Sequence, residues 1–574
     1  GPHRLEITAG TDTAATLVLG TDTLKATGVR IEERRARFTF ALPGEAPEHF
    51  DLRAANDALA GTLAVTGVGE HRVTARPAGR EEKPARPDSL VPAPDVAGDP
   101  EAWRARAPAQ PAAVLVRHAT VWTAGPQGTL ADADLLVQAG RIAAVGHALA
   151  APRDAVVIDG TGLHVAPGII DEHSHAAILG NVNECTNSVT CEVRIADVVN
   201  SESPNIYRQL AGGVTAMHLL HGSCNAIGGQ CAVIRNRWGA PPDGLLDRSA
   251  PPTVKFALGE NPKQANFGAD RTDRYPKSRA GVEQVIRDAF LRAQDYDRAR
   301  AEFAAGTRAI PPRRDLQLDA LSEIVHGTRL VHVHSYRQDE ILMLMRLAES
   351  FGIRVNTFTH VLEGYKVADE IATHGASALG FTDWWGYKYE VEDAIPWNEY
   401  ILWDRGVNTG FNSDDPELAR RLNSEADKAV KYGGVPPEEA IQFVTLNPAK
   451  SLKIDDRVGS LEPGKDADFV IWSGPPMSAT STCLETWIEG RKYFDRAADL
   501  AGRPALEKER EQLLEKAKGA KKEPGAGGGK WPPRYLEATA LDGNECGSES
   551  GVHHDLPFMG EAEREALRSG EVEK

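Results

Sequence analysis

Between residues 165 and 454 the chain alternates short apolar runs with stretches of helical period. The runs are "PGIIDEHSH", "GVTAMHLL", "CAVIRNRWG", "TVKFALG", "RLVHVHS", "RVNTFTH", "SALGFTD" and "GVNTGFNSD". Each is too short for a helix and is rich in the β-branched and aromatic residues that suit a strand. Between several of them lie segments such as "DEILMLMRLAESFG", whose apolar residues recur at i, i+3 and i+4 and which close on Gly352, a helix C-terminal signal. Strand, helix and strand in repetition predict a parallel α/β architecture, and eight runs fit a (β/α)8 barrel. The gaps around "CAVIRNRWG" are too short for a crossover helix, which leaves room for one of the eight to be a hairpin excursion.

The pattern differs on both sides of this region. "AAVLVRHATVWT" and "ADLLVQAGRIAAVG" before it, and "DADFVIWSG" and "CLETWIEGRKYF" after it, read as alternating strands. The simplest layout inserts the barrel, 165–454, in a small composite β-sandwich built from 112–164 plus 455–497. Residues 1–80, with runs such as "RARFTFAL" and "HRVTARP" between turn residues, predict an extra β-rich domain. Residues 81–111 are rich in Pro, Ala and charge without periodicity and read as a linker. Residues 498–574 form an extension that begins with a charged helix, "ALEKEREQLLEKAKGAKK", and continues as a polar tail.

Composition narrows the function. A formal charge of −17, from 65 Lys and Arg against 82 Asp and Glu, with no basic tract interleaved with aromatics, argues against nucleic acid as a partner. No apolar run reaches the roughly 18 residues a transmembrane helix needs, so no membrane partner is expected. The six cysteines form no C-x-x-C, so the sequence indicates neither a disulfide framework nor a thiolate zinc site. Any metal here would be held by imidazoles and carboxylates. The opening "GPHRLEIT" lacks a start methionine, and Gly1 and Pro2 read as a scar left after a leader was removed.

The candidate chemistry lies where the apolar runs end. In a barrel of this kind catalytic groups sit at the C-terminal ends of the strands. His173 and His175 close the first run, His334 the fifth, His360 the sixth and Asp414 the eighth. Residues two apart in a strand share a face, so His173 and His175 can offer two nitrogens to one cation. Any single histidine could instead be a satisfied structural residue.

With these motifs in view, the chain resembles the amidohydrolase superfamily, in the branch of dihydroorotases, imidazolonepropionases and metal-dependent prolidases. "PGIIDEHSH", "VHVHSYRQDEI", "FTHVLEGYK" and "NSDDPELARRL" carry the likeness, together with the exit "NPAKSLKIDDRVGSLEPGKDADFVIW". The resemblance implies metal ligands at His173, His175, His334, His360 and Asp414, and one or two divalent ions, zinc first, with manganese or iron as alternatives. It places His334 ahead of His332, and Asp414 ahead of Asp415. It also implies a bridging ligand from "TVKFALGENPKQ": a carboxylated Lys255, or Glu260, which is preferred because it ends the strand. Lys255 could equally be a structural lysine, and Glu260 a helix cap.

The implied activity is hydrolysis of an amide, cyclic amide or peptide-like carbon–nitrogen bond. A bound divalent ion lowers the pKa of water from about 15.7 to about 7. Asp414 is the expected proton carrier. Asn225, Arg337, Trp384 and Trp385 are candidate substrate contacts, with Lys388 a second candidate cation for a carboxylate. The expected partner is a small-molecule substrate, with a homo-oligomer possible. An exported bacterial protein is the expected setting, and cytoplasmic residence the alternative. Two rival readings remain: an inactive scaffold of the same fold, and a lactonase, esterase or phosphotriesterase on the same barrel.

Overall fold

The computed structural model describes residues 4–75, apart from 9–12, 20–21, 42–46, 56–57 and 66–68, and residues 107–519, apart from 181, 265–272, 383–385 and 387. The chain divides into two compact units, Gly1–Asp95 and Val96–Lys574.

In the first unit Arg4–Thr8, Ala14–Leu19 and Asp22–Lys25 form one antiparallel sheet, while five strands from Thr27–Glu32 to Gly69–Ala75 form a meander. Strand Arg35–Phe40 shows why. Ala36, Phe38 and Phe40 alternate with polar neighbours and are buried, and Phe38 stacks on Phe50 across the next strand.

The second unit holds two eight-stranded sheets. One joins strands from Ala113–Trp122 through His164–Pro167 to Phe469–Trp472, Cys483–Ile488 and Arg491–Asp495, so the two flanks of the barrel region share a single sheet. The other is the barrel, whose strands we label β1 (Ile169–Ser174), β2 (Val214–Leu219), β3 (Ile227–Arg235), β4 (Thr253–Ala257), β5 (Leu330–Ser335), β6 (Thr357–His360), β7 (Ser377–Gly380) and β8 (Thr409–Phe411). All eight apolar runs become these strands. β3 runs antiparallel to both β2 and β4, and the remaining neighbours are parallel. The short connections on either side of β3 leave no room for the crossover helix that a parallel strand would need.

Alternation along the strands separates core from site. Val331 and Val333 of β5, and Val254 and Phe256 of β4, pack outward with Ile286 and Phe290 of helix Arg279–Ala304 and Ile341 and Leu344 of helix Gln338–Ser350. The residues between them, Lys255, His332 and His334, are fully buried polar groups. In register Lys255 lies beside His332, Ala257 beside His334 and Ser335 beside His360. The charged segment after the last sheet strand is a helix, Arg496–Gly519, and the tail beyond it lies outside the described residues. Most of the expected linker also lies outside them. No helix among the described residues is long and apolar enough to cross a membrane.

Candidate metal centre

β1 ends at Ser174 with its pairing to β2 shifted between Asp171 and Ser174, and this irregularity places the rings of His173 and His175 on one carboxylate. His175 Nε2 lies 3.0 Å and His173 Nε2 3.4 Å from Asp414 Oδ1, while His360 Nε2 is 3.7 Å from Asp414 Oδ2. The rings of His334 and His360 are 4.7 Å apart between centroids, and those of His173 and His360 4.6 Å. Lys255 reaches across from β4 to set its Nζ 2.8 Å from His173 Nε2. All six side chains are buried.

The backbone is bent to achieve this. His360 has φ 69° and Asp414 φ 49°, both in the left-handed region that side chains other than glycine rarely adopt. Phe358 of β6 faces the outer core, so parity alone would turn His360 outward as well; the left-handed turn brings its ring to the barrel mouth instead. The Asp414 N–H donates to the His173 carbonyl at 2.9 Å, and Ser413 donates through both its N–H and its hydroxyl to Asp171, which ties the end of β8 to β1. Strain of this kind, held in place by surrounding bonds, is a mark of functional sites.

Two groups of buried ligand atoms each lie within 4.8 Å of one another: His173, His360 and Asp414 above, and Glu172, His218 and His332 below. Hydrogen-bond accounting separates them. In the lower group His218 Nδ1 meets the Glu172 carbonyl and its Nε2 meets the Thr253 hydroxyl, while His332 Nδ1 lies 2.6 Å from Glu172 Oε1 and its Nε2 faces the Asn356 amide. Every ring nitrogen there has a partner. Burial pushes the Glu172 carboxyl up to about 8, and the lower layer is a polar plug in the barrel floor whose one unpartnered side-chain atom is Glu172 Oε2. In the upper group neither ring nitrogen of His360 has a hydrogen-bond partner, nor has His173 Nδ1, and the same holds for both ring nitrogens of His334 packed beside His360. Unpaired buried nitrogens are costly, and a cation facing several of them removes that cost. The donor set therefore fits a divalent ion held by imidazole and carboxylate.

Electrostatics agree with neutral, ligand-ready imidazoles. Burial, then the charge of Lys255, holds His173 well below the usual histidine range; burial and the neighbouring His360 do the same to His334, and burial takes His360 to about 3. Asp414 is depressed below the ordinary carboxylate range: burial opposes ionisation, but the 3.0 Å approach of His175 Nε2 and the neighbouring His360 outweigh it.

The other expected residues fall elsewhere. Glu260 is half-buried just past β4, its N–H donating to Glu390, and it belongs to neither group of converging ligand atoms. Asp415 caps helix Pro416–Ala419 by accepting from the N–H groups of Glu417 and Leu418. Asn225 is buried and spends its amide on the carbonyls of Glu184 and Asn187. Arg337 stands at the N-terminus of helix Gln338–Ser350, and its side chain pairs with Asp339. Trp384 and Trp385 lie outside the described residues. Lys388, by contrast, lies near the histidines. Its Nζ sits 4.5 Å from the centre of the Tyr336 ring, which packs edge-on against His334, and its charge lowers the basicity of His334 and His360. Sequence reasoning missed Glu172 and His218, which sit inside strands with no terminating pattern to mark them. It also missed a disulfide between Cys185 and Cys224, which the cysteine spacing did not suggest.

The barrel thus gathers four imidazoles and a carboxylate at the C-terminal ends of its strands, with a lysine reaching up from within β4, an arrangement that fits the metal centre of a (β/α)8 enzyme. Residues 305–498 match the model of the amidohydrolase family. The chain is similar to an amidohydrolase of Thermotoga maritima MSB8, with 31% identity and a TM-score of 0.61 over 67% of this chain and 100% of that one. It is 30% identical over 428 residues to amidohydrolase tasK of Hapsidospora irregularis (66% of this chain, 43% of that protein). It is also 26% identical over 353 residues to adenine deaminase 1 of Desulfotalea psychrophila (59% of this chain, 51% of that protein). The chain thus spans about half the length of these two curated relatives. It belongs to the amidohydrolase family.

Proposed function

We propose that this chain hydrolyses a carbon–nitrogen bond of an amide, cyclic amide or peptide-like small molecule, using a divalent ion, zinc first, at His173, His175, His334, His360 and Asp414. The observation that carries this reading is the pair of fully buried histidines, His334 and His360, whose four ring nitrogens have no hydrogen-bond partner beside an ionised Asp414. When bound, such an ion lowers the pKa of a water and polarises a carbonyl. Asp414 takes the proton from the attacking water and returns it to the departing nitrogen, and its ionised state suits it to start as the base. The Leu220 carbonyl accepts from His175 Nδ1 and so fixes the tautomer that presents Nε2 to the ion.

We assign the remaining ligand to Lys255, which would hold the metal as the carbamate formed with carbon dioxide, in preference to Glu260. The amine already lies at the His173 nitrogen that faces Asp414. Lys388, whose Nζ also lies 3.6 Å from Glu390, is the preferred cation for a substrate carboxylate, since it approaches the ligand histidines across Tyr336, whereas Arg337 lies at a helix N-terminus beside Asp339.

The test is metal analysis followed by a screen of dipeptides, N-acyl amino acids and cyclic amides, with lactones and phosphotriesters as controls. Stoichiometric metal, hydrolysis of an amide, and its loss on chelation with recovery on adding zinc and bicarbonate are expected. A metal-free protein points to the scaffold reading, and turnover confined to the controls points to the other chemistry. For a carboxylate-bearing hit, Lys388→Met is expected to lower kcat/KM by about 10–100-fold, the worth of a hydrogen bond to a charged group. The same change should leave the corresponding uncharged amide within a few-fold. Equal losses on both substrates would remove Lys388 from recognition.

A further inference from the structure

We propose that the Cys185–Cys224 disulfide positions the metal ligand His175, so that retention of the metal depends on the thiol–disulfide state of this bridge; the inference rests on the metal reading above. Immediately after β1 the chain leaves the barrel mouth in a long excursion and returns only at helix Pro204–Leu210. His175 is the first residue of that excursion. Its Nδ1 bonds the Leu220 carbonyl at 2.9 Å while its Nε2 faces Asp414 at 3.0 Å, and the Leu220 N–H donates back to the Ser174 carbonyl at 3.0 Å. The position of Leu220 therefore helps to set where His175 Nε2 points.

Leu220 opens a short segment that is sutured to the excursion. The disulfide joins Cys185 to Cys224. Around it the Gly222 N–H donates to the Val182 carbonyl at 2.8 Å, the Glu184 N–H donates to His221 Nε2 at 2.9 Å, and the Cys224 N–H donates to Asn183 Oδ1 at 3.2 Å. Asn225 Nδ2 donates to the carbonyls of both Glu184 and Asn187. The Arg274 guanidinium spans the join, donating to the carbonyls of Cys185, Asn187, Cys224 and Pro262. The fit leaves no slack, since a Cβ on Gly222 would fall 2.1 Å from Asn183 Oδ1. The bridge ties residues 39 apart in sequence and is the one covalent tie among the described residues of this suture, so cutting it leaves hydrogen bonds and packing alone to hold the β1 excursion against the Leu220 segment.

The bridge can be reached. Cys185 is only half-buried whereas Cys224 is buried, which makes the Cys185 sulfur the point of attack. With a water-soluble phosphine as reductant, the phosphorus lone pair attacks the Cys185 sulfur and the S–S bond breaks, with Cys224 leaving as thiolate. Water then takes up the phosphorus as phosphine oxide and frees Cys185 as a thiol. Two electrons pass from phosphorus to the bridge, and water supplies the oxygen and the protons. Oxidised glutathione, a disulfide, reverses the change by exchange and leaves two reduced glutathione molecules.

The experiment uses the whole zinc-loaded chain. Zinc release to a chromophoric chelator is timed at 20 °C before phosphine treatment, after it, and after reoxidation with oxidised glutathione, with thiols counted at each stage. Two new thiols and at least tenfold faster zinc release are expected, returning on reoxidation, with an unchanged far-ultraviolet circular dichroism spectrum. A Cys185→Ser/Cys224→Ser variant should behave as the reduced protein; if it fails to fold, the reduction experiment still decides. A bridge of purely structural worth would lower Tm and leave the release rate within twofold, which overturns the proposal. A chain that holds no zinc before reduction refutes the metal reading and this inference with it, whereas a zinc-loaded chain insensitive to reduction refutes this inference alone.

Discussion

Asp414→Asn is expected to lower kcat by about 10²–10⁴-fold, the range of general acid–base catalysis by one positioned group, while the protein stays folded and largely metal-loaded. Asparagine keeps the shape and one oxygen, and it cannot take a proton from water at neutral pH. Four imidazoles remain around the site, and two of them, His334 and His360, lack any other partner for their ring nitrogens. The N–H of residue 414 would still donate to the His173 carbonyl, so the strained turn survives the change. Paired measurements of kcat, bound zinc and circular dichroism check this. Near-parental kcat in a zinc-loaded, folded variant removes Asp414 from proton transfer. Loss of zinc together with activity would make it a ligand first.

The fold was legible because the two periods of the chain, strand and helix, differ so plainly between 165 and 454, and each of the eight apolar runs became a strand. Even the odd strand could be read, since the gaps about β3 are too short to return a parallel chain. The candidate site was legible to the extent that polar residues close apolar runs: the structure gathers His173, His175, His334, His360 and Asp414 from four such endings. What period cannot convey is a local reversal of direction. The left-handed φ at His360 carries its ring against the parity set by Phe358, and nothing in "FTHVLEG" announces it. Between Lys255 and Glu260 the sequence weighed strand-end position, while the structure shows reach: a lysine that begins deeper in β4 has the longer side chain and arrives at His173. The Cys185–Cys224 pairing was illegible for another reason, because pairing among six cysteines is settled by which loops meet in space and not by their spacing.

Arg235→Met is expected to cost about 3–5 kcal/mol of stability, as breaking a buried ion pair from one side does. Arg235 ends the antiparallel strand β3 and is completely buried. It bonds Asp468, at the start of the returning flank, and lies 3.5 Å from Asp466 and 3.7 Å from Asp247. While Arg457 shares the neighbouring Asp247 and Asp466, the one Arg235 guanidinium therefore joins the barrel to the flanking sheet and is the direct partner of Asp468. Even beside it, burial pushes Asp468 up to about 6. An acid whose folded pKa lies above its unfolded value favours the fold fully below the unfolded pKa, and that contribution is lost as pH rises through the folded pKa. Methionine removes the countercharge and drives the folded pKa of Asp468 higher still, so the deficit of the variant should widen from pH 5.5 to pH 8. Adding Asp468→Asn should recover a large part of the loss at pH 8 and little at pH 5.5, because the carboxyl is already protonated there. Urea midpoints of the parent, the two single variants Arg235→Met and Asp468→Asn, and the double variant at the two pH values decide it. A deficit equal at both, or one that Asp468→Asn deepens, would show that the arginine serves packing and not charge.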